Sequence, residues 1–264
     1  VCKRLKDKVI IYAIFVDSKP TNPWTEHDMN STMDSIRIAM DWIQHKAAQA
    51  GIALEIKLDY HRNKKGVIPI NNNLRGKTLS NTLWSFNGVK AIDQWANKIG
   101  KTVLSSYPPD TSKTTETKIT PSDRERLIAR LRDIHKCDNV ALMYFINNYY
   151  TDETSVAIHS SIDDSPEYAV VSFKNPAVII HEFLHLFGAL DLYVTPWDYQ
   201  NKKAMRRKVF AMKEFPNEIM AFTHKGLDSL MLSPLTEYCI GWRRQLDERY
   251  QKMITSKQIK LAKY

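Results

Sequence analysis

The segment Lys8-Val-Ile-Ile-Tyr-Ala-Ile-Phe-Val16 is apolar from Val9 onward and ends at Asp17. A run without polar alternation suits a strand buried on both faces, the centre of a sheet. Beyond Pro20 and Pro23, residues Met33, Ile36, Met40, Ile43 and Ala47 recur at helical spacing. Ser31 with Asp34 supplies a capping signature for that helix and Gly51 a stop. From Ile52 to Tyr60, Ile52, Leu54, Ile56 and Leu58 alternate with Ala53, Glu55, Lys57 and Asp59, which predicts a half-buried strand. A β-α-β opening of this kind builds a mainly parallel sheet.

Residues 63–80 are polar and turn-rich. Trp84, Val89, Ile92, Trp95 and Ile99 then mark the apolar face of a helix from Leu83 to Ile99, with Gly100 as its stop. A Pro/Ser/Thr/Lys segment, 105–120, reads as a loop. Thr120-Pro-Ser-Asp123 caps a helix to about Ile134, with Pro121 at its first position. Strands are expected at Val140–Ile146, Ser155–His159 and Tyr168–Phe173. No repeat or linker divides the chain, so the expectation is one domain over 1–264, of α+β class with an α/β-like N-terminal lobe. Residues 1–188 would carry a twisted, mainly parallel sheet with backing helices, and 189–264 a smaller C-terminal lobe.

Composition changes this picture little. The 264 residues are 43% hydrophobic and 25% charged, which excludes low-complexity, collagen-like and disordered classes. The longest apolar runs fall well short of the roughly 20 residues that a membrane-spanning helix needs. Cys2, Cys137 and Cys239 are too few and too scattered for a disulfide framework or a thiolate metal site. Net charge is +9, and residues 201–264 hold 14 Lys and Arg against 6 Asp and Glu. That basic excess reads first as a solvated face and second as a surface for a polyanion. The chain opens at Val1 without an initiator Met, which leads to the expectation of an exported protein. Cys2 is read as a free cysteine before it is read as the lipid-bearing residue of a processed lipoprotein.

One segment carries chemistry. Asn175-Pro176 is an N-cap followed by proline at the first helical position, and every residue from Ala177 to Phe187 except His181, Glu182 and His185 is apolar. A helix apolar all round is buried, and burying two imidazoles and a carboxylate is costly unless each finds a strong partner. A metal ion is such a partner. Residues four apart share one helical face about 6 Å apart along the axis, so His181 and His185 can converge on one cation. Glu182 lies alongside, placed to take a proton from a metal-activated water. Gly188 can end the helix sharply and let the chain bring Asp191 back to the same ion. With 8 His and 11 Glu, HExxH arises by chance about 0.01 times in such a chain. Two imidazoles, one carboxylate and an open position describe a catalytic zinc site.

His181-Glu-Phe-Leu-His185-Leu-Phe-Gly188-Ala-Leu-Asp191 resembles the signature of the metzincin clan of zinc peptidases, in its branch with Asp as third ligand, as in snapalysin-type peptidases. The resemblance covers 1–222 in outline and is specific at 181–191. It implies that His181, His185 and Asp191 hold one zinc ion and that Glu182 is the general base of an endopeptidase. It also implies that Met220, in Asn217-Glu-Ile-Met220, is the methionine of the Met-turn, although Met205 and Met212 fall in the same window. Asp191 as a helix-terminal or salt-bridging residue, and Met220 as a core filler, are the plain alternatives. Where some clan members carry an oxyanion-assisting tyrosine, this chain has Phe222, with Tyr193 and Tyr238 as substitutes.

A peptide or protein substrate would then lie extended on a sheet edge, at Ser155–His159 or Tyr168–Val171, with residues 217–232 shaping the pocket beyond the cut. His159 and His224 read first as structural, and Asp163-Asp164 as a solvated turn before a calcium site. Lys202, Lys203, Arg206, Arg207 and Lys208 raise nucleic acid as a partner, without the aromatic interleaving that would support it. A latent or non-catalytic zinc-containing binding protein and a nucleic-acid-associated peptidase are the rival functions.

Overall fold

The computed structural model describes residues 4–19, 21–73, 86–108, 121–137, 139–148, 155–158, 168–172, 174–194, 202–251 and 253–254. Strand β1 (Asp7–Asp17) is the expected buried strand, with every residue from Val9 to Val16 shielded from solvent. It pairs in parallel with β2 (Leu54–Tyr60) on one side and β6 (Asn139–Ile146) on the other. The short strands β3 (Arg62–Asn63) and β4 (Gly66–Val67) form a separate hairpin, and β5 (Ile70–Asn71) pairs with the end of β1. β8 (Tyr168–Val171) lies parallel to β6, and β7 (Val156–Ile158) pairs with it antiparallel. The sheet order is therefore β2-β1-β6-β8-β7, mixed but mostly parallel, in an α+β chain.

Alternation along β1 sends its side chains to two cores. Val9, Ile11, Ala13 and Phe15 pack with helix α1 (Glu26–Gln49), whereas Ile10, Tyr12, Ile14 and Val16 pack under α2 (Phe86–Leu104) and α3 (Asp123–His135). No helix among the described residues is long and apolar enough to cross a membrane.

Three helix ends differ from expectation, each for a local reason. α1 starts at Glu26 because the Thr25 side chain accepts from the Asp28 amide, and Met29 already belongs to the buried stripe. Ser31 and Asp34 lie on its exposed face, where Asp34 pairs with Arg37. α2 runs through Gly100 to Leu104. A Cβ on Gly100 would sit 3.1 Å from the Arg124 backbone, so this glycine lets α3 approach rather than ending a helix. α3 is capped by Ser122 in a reciprocal box with Glu125, which leaves Pro121 outside the first turn.

Helix α4 (Pro176–His185) follows β8 and packs against α1, β7 and β8. Its Asn175 cap accepts from the Ala177 amide, and Pro176 occupies the first turn as the sequence predicts. Beyond it come α5 (Lys202–Glu214), a turn over 216–221, a 3-10 turn (Leu227–Ser229), α6 (Pro234–Cys239) and α7 (Glu248–Gln251). Phe215, Ile219, Met220, Leu232, Leu235 and Ile240 join the same apolar core as α1 and α4. The Leu5 amide donates to Ile240, and Trp242 Nε1 donates back to the Leu5 carbonyl, so the lead into β1 is latched to this later part.

Candidate metal centre

Helix α4 presents His181 and His185 one turn apart, both buried, with their Nε2 atoms 3.1 Å from each other. Gly188, at φ +97°, turns the chain after the helix. The Gly188 and Ala189 amides close on the carbonyls of His185 and Leu184, and Asp191 is carried back to the imidazoles. Asp191 Oδ1 stands 3.2 Å from His181 Nε2 and 3.1 Å from His185 Nε2. The residues expected to share an ion are therefore gathered at one point. His181, His185 and Asp191 form a cluster that can hold a metal ion.

The far side of each imidazole decides which nitrogen faces the centre. His181 Nδ1 lies 3.2 Å from the Ile219 carbonyl oxygen, and His185 Nδ1 lies 2.8 Å from that of Ala189. A carbonyl only accepts, so each Nδ1 carries the hydrogen in a neutral ring and each Nε2 turns its lone pair inward. Burial works to lower the pKa of His185, but the adjoining Asp191 carboxylate outweighs it and, with Glu182, raises the imidazole to about 9. Burial opposes ionisation of Asp191 too, yet His185 and His181 hold it well below the usual carboxylate range. The cluster thus sets two imidazoles against one carboxylate in a buried place, a donor set that could hold a metal ion.

Glu182 is buried on the same helix, near enough to His185 for its charge to act there. Met220 is fully buried at the turn beside the cluster, whereas Met205 and Met212 project to solvent from α5. The turn touches the site through backbone: Ile219 accepts from His181, and the Met220 carbonyl accepts from the Leu192 amide at 3.0 Å. Tyr193 places its ring centroid 5.9 Å from that of His181 and is partly exposed. Tyr238 instead packs against the core, and Phe222 lies against it with Lys225 over its ring.

Of the two strands expected to bind substrate, β8 is paired on both sides and has no edge to offer, because β6 and β7 flank it. β7 is the outermost strand of the sheet path on the side where α4 packs. His224 is exposed beside Phe222. Lys202 and Arg206 are exposed on α5, while Arg207 and Lys208 are half-buried. Cys2, His159, Asp163, Asp164 and the Lys203 side chain lie outside the described residues.

Glu218 escapes a reading of the sequence. Its carboxylate is fully buried and accepts from the Ser233 amide, from Thr236 Oγ1 at 2.9 Å and from the Met220 amide at 3.4 Å. Burial pushes it up to about 7 against the pull of those donors. The available signal is faint: one acidic residue between Phe215 and Ile219, ahead of the capping pair Ser233-Pro234.

No protein-family model, curated protein or solved structure matches the chain.

Proposed function

We propose that the protein is a zinc-dependent endopeptidase. The observation that carries this reading is the triangle of His181 Nε2, His185 Nε2 and Asp191 Oδ1, with sides of 3.1 to 3.2 Å. The donor set fits the group: two imidazole nitrogens and one carboxylate oxygen are what a catalytic zinc ion takes from a protein, and His181, His185 and Asp191 would hold it. A zinc ion bound there would lower the pKa of water towards neutrality and polarise the scissile carbonyl.

The chain's own residues supply the remaining parts. Glu182 takes the proton from the attacking water on its carboxylate and delivers it to the nitrogen of the departing amine. Tyr193, the tyrosine beside His181, donates its hydroxyl to the oxyanion that develops on the former carbonyl. β7 receives the substrate as an added strand, and the 217–232 segment borders the residue beyond the cut.

The test is cleavage of a mixed peptide library by zinc-loaded protein beside Glu182→Ala, with a chelated control. Cleavage by wild type alone, abolished by the chelator, supports the reading. Equal silence from wild type and variant, with one zinc per chain in each, sinks the peptidase and leaves a metal-holding binding protein.

A further inference from the structure

We propose that Glu218 is a positioning residue for the metal centre: its buried carboxylate holds the 217–221 turn in the one arrangement that aims the Ile219 carbonyl at His181. This rests on the reading of the cluster as a zinc site and adds to it a residue that binds neither metal nor substrate.

The contacts form an unbroken path. Glu218 Oε2 accepts from the Ser233 amide, and Oε1 accepts from Thr236 Oγ1 and the Met220 amide. Residue 218 also bridges Met231 in parallel, with Ile219 N donating to the Met231 carbonyl at 3.0 Å and Met231 N to that of Asn217 at 2.8 Å. Residues 217–219, the first part of the turn, are thereby tied to residues 231–236. From the turn, Ile219 reaches His181 Nδ1, and Met220 receives the Leu192 amide, one residue beyond Asp191. One carboxylate thus governs the seats of two of the three metal donors.

Stability alone does not account for an acid here. Burying a carboxylate carries a desolvation penalty, and well-packed apolar side chains in such places are often as stable or more so. What an apolar residue lacks is the ability to gather three donors from two chain segments. A hydrogen bond on the outer nitrogen of a metal-bound histidine sets its ring orientation, and losing such support typically costs about 10–100-fold in metal affinity.

Glu218→Gln separates these roles because it preserves shape but turns an amide NH2 group onto donors that need acceptors. Zinc affinity of the full chain is measured by chelator competition, together with the visible spectrum of the cobalt-substituted protein and the thermal midpoint. Glu218→Gln should weaken zinc about 10–100-fold and alter the cobalt band positions, which report ligand geometry. Thr236→Val, which removes one donor and is the milder change, should shift both in the same direction by less, and it carries the comparison if Glu218→Gln does not fold. Wild-type zinc affinity and cobalt spectrum in both variants, with only the midpoint lowered, would reduce Glu218 to a structural anchor and overturn the proposal. Absence of zinc binding by wild type would instead overturn the metal-site reading itself.

Discussion

His181 Nδ1 donates to the carbonyl oxygen of Ile219, 3.2 Å away and 38 positions further along the chain. His185 makes the equivalent bond locally, to Ala189. The two imidazoles are therefore held by different means, one through the helix's own exit turn and the other through a distant segment. Disturbing the 216–221 turn should loosen His181 and leave His185 in place, which proton NMR of the two ring Nδ1–H resonances in the zinc form can distinguish.

Asp191 is the member of the cluster whose role the sequence leaves most open, since an aspartate at a helix exit often forms only ion pairs. Its carboxylate lies against both Nε2 atoms, where it serves the proposed ligand role and an ion pair alike. Asp191→Asn should lower zinc affinity by more than about 100-fold, beyond what loss of a supporting contact costs. A loss of tenfold or less by chelator competition would return Asp191 to the ion-pair role.

The raised His185 sets a pH dependence. In the zinc-free chain its pKa lies near 9 against an ordinary 6.5, so the folded protein holds the proton more tightly than the unfolded one. This contribution to stability is complete below about 6.5 and is lost as pH rises through about 9. Zinc needs the neutral ring, so its affinity should climb over the same window and binding near neutrality should release a proton. Calorimetry in two buffers of different ionisation enthalpy measures that release. No buffer dependence at pH 7 would contradict the assignment.

Gly188 is held at φ +97°, and a Cβ there would stand 3.2 Å from the Cys239 carbonyl oxygen. Gly188→Ala should cost about 1 to 3 kcal/mol of stability, the range for strained backbone. It should also weaken zinc, because the displaced turn carries the Ala189 carbonyl that orients His185. Urea unfolding and chelator competition test the two effects separately.

Tyr193→Phe keeps the ring beside His181 and removes the hydroxyl. If that hydroxyl supports the oxyanion, kcat on a cleaved peptide should fall about 10²–10³-fold with KM and zinc content little changed. An unchanged kcat would leave the oxyanion to another donor.

Much of the sheet and of the His181–His185–Asp191 cluster is legible in local pattern. The unbroken apolar run of β1, the Asn175-Pro176 start and the HExxH spacing are short-range signals, and the structure carries each of them. Signals with two meanings misled. Gly100 resembles a helix stop but serves contact between α2 and α3, and Ser31 resembles a cap but faces solvent within α1. The sheet position of β8 depends on pairing order, which no short window contains. Glu218 is invisible for the same reason: its partners Ser233 and Thr236 come 15 and 18 residues later.

The Ile219 carbonyl also imposes an order of assembly. His181 leaves the ribosome long before residue 219, and its ring has no such acceptor until the later segment folds back against α4. Contacts that span long stretches of chain form late, after the loop between them has closed. A growing chain stopped short of this turn would own both histidines and Asp191 without the contact that aims His181. If the cluster holds zinc as proposed, full support of His181 waits until the chain beyond residue 219 has been made.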